Sequence, residues 1–357
     1  MKIVINIFLI FLFTSCANII PPTGGDKDVD PPSILNITVL KNANNQVFKF
    51  EFDEYIQLNK WEEYFYISPP IKKRPQKKID GKVLLLTVED TLNENITYNF
   101  ALNSCIKDNN EGNVLDSLYY LFKQQKTLDT LSISGNLQDS YTLNNEENAW
   151  IMLFNEDFHD SLIFKVSPIY IAKTNKNGLF NFPNLKNINY KIVALTGFDY
   201  VYNKGEKIAF SNDVINATQD SFISLLAFNP IFEIDSTISN ITQIKSDSII
   251  SYNLDSIQKG KLQTGSLKIN TKNASCILQL IQEGKVITEA YFNKKPYLIR
   301  NIIPGNYNIK YIADSNCDSI WSTGDWEKRI QPETVINYPS EVTIRANWDL
   351  ELEWFIE

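Results

Sequence analysis

The final residues constrain the fold most. Trp348, Leu350, Leu352, Trp354 and Ile356 alternate with the acids Asp349, Glu351, Glu353 and Glu357. A helix would scatter that apolar set around its circumference, whereas a strand gathers it on one face. The pattern predicts a closing strand with its apolar face inward. The same period of two runs through Val47–Phe52, where Phe48, Phe50 and Phe52 alternate with Lys49 and Glu51. Val83–Val88 and Tyr98–Leu102 read as further strands, and Pro69-Pro70, Asp80-Gly81 and the stretch from Asp108 to Asn113 read as turns. Short strands at this spacing predict an all-β chain of tandem β-sandwiches.

A chain of 357 residues is long for one β core, so two or three domains are expected. A hydrophobic content of 43% is enough to build real cores. The formal charge of −8 becomes −9 once residues 1–15, with Lys2 and no acid, are set aside. An acidic balance argues against a nucleic-acid partner, which needs a concentrated basic face.

The chain begins with Lys2, an apolar run Ile3–Phe13 broken by Asn6, and then Thr14-Ser15-Cys16. A basic tip, a short apolar run and small residues describe a secretory signal over residues 1–15. Phe13-Thr14-Ser15-Cys16 resembles a bacterial lipobox, with Phe13 standing where Leu or Val is usual. The resemblance implies cleavage before Cys16 and lipidation of that residue, palmitate included. Each buried methylene contributes about 0.8 kcal/mol, so more than one chain is needed for durable anchoring. Residues 16–30 then read as a flexible tether rich in Pro, Gly and Asp. The other cysteines, Cys105, Cys276 and Cys317, form no CxxC, which argues against a disulfide framework or a zinc site. Cys276 and Cys317 either pair or remain buried free thiols.

Pro31-Pro32-Ser33, Phe50-Glu51-Phe52-Asp53-Glu54-Tyr55-Ile56, Ile67-Ser68-Pro69-Pro70, Thr91 to Tyr98 and Asp108…Gly112-Asn113 together resemble the SbsA-type bacterial Ig-like domain. That domain heads many Bacteroidota lipoproteins beginning with a segment similar to Pro22-Thr23-Gly24-Gly25. The resemblance implies an Ig-like domain over 31–130, an envelope lipoprotein and no enzyme activity. Residues 131–228 are similar to the carboxypeptidase-regulatory or Cna-B-like (transthyretin-like) sandwich, with Asn177-Gly178 expected in a tight hairpin. Asn184-Leu185-x4-Tyr190-x-Ile192 recurs as Asn301-Ile302-x4-Tyr307-x-Ile309, 117 residues later. That repeat predicts a second Cna-B-like sandwich over 260–357, joined by a connector at 229–259.

Chemistry is sparse. The one histidine, His159, lies in Glu156-Asp157-Phe158-His159-Asp160-Ser161, and neighbours in sequence do not make a triad. No GxSxG, HExxH or Gly-rich phosphate loop is present. Asp314, Asn316, Asp318 and Asp325 fall at EF-hand-like spacing, which suits either calcium or a self-bonded Asx turn. Lys72, Lys73, Arg74, Lys77 and Lys78 concentrate positive charge, either for anionic headgroups or to guard a strand edge. Trp61, Tyr64, Phe65 and Tyr66 serve either a stacking face or a core.

The expectation is a non-catalytic binding or scaffolding subunit, lipid-anchored at the outer membrane and facing outward. Its partner would be an outer-membrane protein, such as a β-barrel complex for assembly or export. The rivals are a glycan-binding adhesion protein and a hydrolase using an acid pair.

Overall fold

The computed structural model describes residues 27–42, 45–124, 129–157, 159, 166–230, 243–244, 263–270 and 275–356. Cys16 and the tether up to residue 26 lie outside these residues, as does most of the 229–259 connector. No helix among the described residues is long and apolar enough to cross a membrane.

The first stretch carries β1 (Ile34–Lys41), β2 (Gln46–Phe52), β3 (Ile56–Leu58), α1 (Trp61–Tyr64), β4 (Tyr66–Ser68), β5 (Gln76–Asp80), β6 (Val83–Val88), β7 (Tyr98–Ala101), β8 (Ile106–Asp108) and β9 (Tyr119–Phe122). Backbone proximity divides the chain into two compact units. One holds residues up to Trp61 with Pro75–Glu89 and Asn103–Leu118; the other holds Glu62–Arg74, Asp90–Leu102 and everything from Tyr119 onward. The division therefore runs through the stretch 31–130, which the sequence had suggested was one domain.

In the first unit the strands run β1-β2-β6-β5, all antiparallel, beside the pair β3-β8. Alternation fixes the inner face: Phe48, Phe50, Phe52, Leu84, Leu86 and Val88 are all buried. Asp108 closes β8. Its carboxylate accepts the backbone N–H groups of Asn110, Glu111, Gly112 and Asn113 at 2.7–2.8 Å. Burial alone would raise the Asp108 pKa, but those four amides outweigh it and hold the carboxyl below its ordinary value. Asn113 in turn donates to the carbonyls of Asp28 and Asp30, fastening the incoming chain to this loop.

The second unit begins with the sheet β4-β7-β9. Two modules follow. One comprises β10 (Leu131–Asp139), β11 (Trp150–Asn155), β12 (Tyr170–Lys173), β13 (Leu179–Leu185), β14 (Asn189–Leu195), β15 (Ile208–Phe210), β16 (Ile215–Asn216) and β17 (Phe222–Ala227). The two-residue β18 (Gln243–Ile244) then leads to β19 (Gly265–Asn270), β20 (Cys276–Gln282), β21 (Lys285–Phe292), β22 (Tyr297–Ile302), β23 (Gly305–Ala313), β24 (Val335–Asn337), β25 (Val342–Ile344) and β26 (Asp349–Glu353).

The modules share one plan. In the first, β13-β10-β17 faces β12-β11-β14-β15 with β16 on β14; in the second, β22-β19-β26 faces β21-β20-β23-β24 with β25 on β23. The pairs β10–β17 and β19–β26 are parallel, and the other pairs within each plan are antiparallel. Each module encloses its own apolar core, one around Ile133, Ile151, Phe182 and Ile192, the other around Leu267, Leu278, Ile299 and Ile309.

The sequence repeat has a physical meaning. Asn184 and Asn301 both adopt φ of 58°, and at each the edge strand carries one extra residue against its neighbour. Asparagine tolerates this left-handed backbone better than most side chains. The Tyr190 hydroxyl then donates to the Lys186 carbonyl at 2.7 Å, and Tyr307 to Ile303 at 2.8 Å. Both rings are buried. Tyr190→Phe and Tyr307→Phe are each expected to cost about 1 kcal/mol in urea unfolding, the net loss of one part-buried hydrogen bond. A large inequality between the two would count against equivalent corners.

Two local expectations change. At the β12–β13 turn only Gly178 has positive φ (69°); Asn177 does not, and the Asn175 side chain accepts the N–H groups of Asn177 and Leu179 instead. The closing strand buries Trp354 and Ile356 and half-buries Leu350 and Leu352, but Trp348 precedes β26 and stays exposed.

Candidate functional site: the module junctions

The residues singled out from sequence do not assemble into a reactive centre. Lys77 and Lys78 lie on β5, the edge of its sheet, with Lys77 5.3 Å from the Trp61 ring. Alternation sends their side chains to opposite faces of that strand. Lys72, Lys73 and Arg74 are exposed on the preceding turn; the Lys73 N–H binds the Asp90 carboxylate at 2.7 Å and Arg74 pairs with Glu62. Trp61, Phe65 and Tyr66 are buried and Tyr64 is half-buried, as a core requires. His159 is exposed, and its neighbours Phe158 and Asp160 lie outside the described residues.

The loop with calcium-like spacing spends its oxygens on its own backbone. Asp314, buried, accepts the N–H groups of Asp318 and Ser319 at 3.1 and 3.2 Å. Asp318 accepts the Ile320 N–H, and Asn316 bonds Asp318 and Ser322. Asp325 sits in a separate turn, paired with Lys328 at 2.8 Å. Among the described residues no three His, Cys, Asp or Glu side chains converge to hold a metal. Cys276 is a buried free thiol in the core, pushed up to about 12 by burial, whereas Cys317 is free but exposed. Burial of both thiols was the expectation; Cys317 is exposed instead, in a loop where it and Ser319 adopt positive φ.

What that loop does instead is join modules. Residues 314–334 leave β23 and fold back onto the preceding module before β24 begins. Glu333, buried, braces the loop by accepting the N–H groups of Ser315 and Ser322 at 2.7 and 2.9 Å. From this frame Trp326 packs edge-on against Phe210 at 5.2 Å, and the Arg329 guanidinium lies 4.0 Å from the same ring. Arg329 also donates to the Ser211 carbonyl, Gln331 to the Phe210 carbonyl and Thr323 to the Asn229 carbonyl. Gly324 meets the Phe228 ring so closely that an added Cβ would lie 2.6 Å from it.

A second contact runs the other way. Tyr141, in the β10–β11 turn, reaches β20 and exchanges bonds with the Gln279 amide at 2.9–3.1 Å. Its ring packs on Trp321 at 4.8 Å, and Lys310 lies 4.0 Å above it while donating to the Tyr141 carbonyl at 2.8 Å. Burial lowers the Lys310 pKa, with Asp139 opposing that shift.

The face of the preceding module that the loop grips is apolar and also meets β4-β7-β9. Trp150, Met152, Phe154, Ile171, Val193, Leu195, Ile208, Phe210 and Phe228 form a second core, outside the module's own. Tyr66 and Ala101 from β4-β7-β9 cover one part and Trp326 another. Trp150 is central: Tyr66 and Tyr200 meet it edge-on at 5.6 and 5.7 Å, and Lys173 sits 4.3 Å over the ring. The indole N–H donates to the Phe198 carbonyl at 3.0 Å. The Ser68 hydroxyl accepts the Ile171 N–H, and Lys173 donates to the Glu63 carbonyl. The sheet β12-β11-β14-β15 is thus apolar on both faces. The unbroken runs Trp150-Ile151-Met152-Leu153-Phe154 and Ile192-Val193-Ala194-Leu195 carried that signal, since a half-solvated strand would alternate.

The turn that carries Tyr141 is held by charge. Asp139 accepts the N–H groups of Tyr141 and Thr142 and pairs with Lys207 at 2.7 Å, and Lys207 also pairs with Glu146 at 2.6 Å. Burial would raise the Asp139 pKa, but Lys207 and Thr142 hold it below its ordinary value. Burial would lower Lys207, but the two carboxylates raise it. A depressed carboxyl adds stability above its unfolded pKa, near 4, and loses it as pH falls through the folded value. A raised ammonium adds stability below about 10.4 and loses it as pH climbs past the folded value. Asp139→Asn is therefore expected to lower the melting temperature at pH 7 and to shrink its fall between about pH 4 and pH 2. An unchanged acid limb in thermal melts would refute the assignment.

Residues 28–123 match the bacterial Ig-like domain. Among curated proteins none matches this sequence. Solved structures resemble this chain only remotely. The minor pilin GBS52 of Streptococcus agalactiae is 12% identical, covering 63% of this chain and 95% of its own, with a TM-score of 0.21. A segment of Escherichia coli alpha-2-macroglobulin is 10% identical over 86% of this chain and 96% of that one, at 0.22. The Bacillus cereus major pilin BcpA is 11% identical over 55% and 69%, at 0.18.

Proposed function

We propose that this chain is a lipid-anchored arm of the bacterial outer membrane, a non-catalytic scaffold that holds a membrane-protein partner at a set distance. In this reading Cys16 carries the acyl chains, residues 17–30 are the tether, and the Ig-like stretch is followed by two Cna-B-like modules. The supporting observation is the second core around Trp150. Apolar burial and hydrogen bonds on both sides of one sheet make the modules a stiff unit, and stiffness suits holding rather than turnover. A β-barrel complex for assembly or export is the partner class, placed outward from the membrane.

The test is fractionation of cells carrying Cys16→Ser, followed by affinity purification of the natural chain from gently solubilised membranes. The variant is expected to leave the membrane fraction, and the natural chain to bring down a barrel protein in fixed ratio. A variant that stays with the membrane refutes the anchor. A natural chain that purifies alone refutes the scaffold, and capture of defined oligosaccharides on a glycan array would replace it with adhesion.

A further inference from the structure

The outer edge of β17 differs from the other edges of the modules' three-stranded sheets, β13, β22 and β26. The Ser134 and Ser140 N–H groups donate to the carbonyls of Ser221 and Ala227 at 3.0 and 2.8 Å. Alternate residues of a strand face a given neighbour, so the odd-numbered residues of β17 serve β10. The N–H and C=O groups of Phe222, Ser224 and Leu226 therefore point the other way. Phe228 continues that phase and exchanges both bonds with Ile208 at 2.9 Å. Among the described residues no other strand pairs with this edge.

Exposed edges invite pairing with another chain, and proteins block them with charge, proline or bulges. The counterpart strand β26 has Asp349, Glu351 and Glu353 at its outward positions, bonded to Ser266, Lys268 and Asn270. The opposite edge β13 contains Pro183 and the Asn184 bulge, and β22 contains Arg300 and the Asn301 bulge. β17 reads Phe-Ile-Ser-Leu-Leu-Ala, with no charge and no proline. Its outward side chains are Phe222, 58% exposed, Ser224, exposed, and Leu226, half-buried.

We propose that a second copy of this chain adds its own β17 here, antiparallel, about a twofold axis through Ser224. The strand is complementary to itself in that register. Phe222 falls opposite Leu226 twice, an aromatic–aliphatic cross-strand pair, with Ser224 opposite Ser224 between them. Ile223 and Leu225 meet on the inner side. The residues with free backbone groups become the hydrogen-bonded pairs, giving about six new bonds. An axis through Leu225 would need Phe228, which Ile208 already holds, and a one-residue slip would place outward residues against inward ones.

The experiment uses the full chain in mild detergent with Cys317→Ser, so that the exposed thiol cannot interfere. In an antiparallel hydrogen-bonded pair the Cα atoms lie about 5.5 Å apart, within disulfide range. Ser224→Cys is expected to give a disulfide-linked dimer on mild oxidation, while Asn181→Cys, exposed on β13, gives at least tenfold less. Light scattering should read two chains per particle, returning to one in Phe222→Lys with an unchanged far-ultraviolet circular dichroism spectrum. One chain per particle at high concentration overturns the pairing, as does equal cross-linking at 224 and 181. Protection of the β17 amides only when an unrelated uncharged β-peptide is added also overturns it, in favour of strand capture from another protein.

Discussion

Trp150→Ala is expected to cost about 3–5 kcal/mol, the range for deleting a buried large aromatic. The side chain is 6% exposed and lies between Tyr66, Tyr200 and the Lys173 ammonium. Its loss removes the centre of the second core and the hydrogen bond from its indole N–H to the carbonyl of the exposed Phe198. Urea denaturation followed by far-ultraviolet circular dichroism measures the cost. Trp150→Phe keeps most of the apolar area and gives up the N–H bond, so about 1–2 kcal/mol is expected there. A cost under about 1 kcal/mol for the alanine variant would mean the junction is not a packed core.

The second large effect is at Gly135, in the middle of β10. A Cβ built there would lie 2.1 Å from the Ile223 carbonyl oxygen and 2.3 Å from the Phe180 ring. A ring can rotate, but the carbonyl belongs to the paired backbone of β17. Glycine inside a strand marks such a close approach. Gly135→Ala is expected to cost about 3 kcal/mol or more, at the upper end for overpacking. Phe180→Leu in the same chain should recover only the ring's share. If the double variant regained full stability, the backbone contact would not be the constraint.

Much of the fold could be read from residue order because strands announce themselves locally. Phe48, Phe50 and Phe52 against Lys49 and Glu51 fix both the element and its inner face. The two Asn…Tyr motifs marked equivalent corners because the bulge and the tyrosine bond lie within seven residues of each other. The loop at 314–334 left calcium and an Asx turn both open for the same reason. Spacing alone cannot tell a carboxylate that waits for a cation from one that caps its own backbone, as Asp314 does. The true use of that loop depends on Phe210 and Phe228, about a hundred residues earlier, and no local pattern joins them to Trp326 and Gly324.

By itself the sequence determined which residues become strands, which side of each strand turns inward, and that two modules repeat one plan. Those properties follow from period, turn chemistry and side-chain type, all of which act over a few residues. Only the tertiary structure decided which elements cover the outer face of the sheet β12-β11-β14-β15 and that a long loop grips the neighbouring module. It alone showed which edge is left unguarded. Each of these depends on surfaces meeting across long stretches of chain, where the free energy belongs to the contact and not to either partner alone.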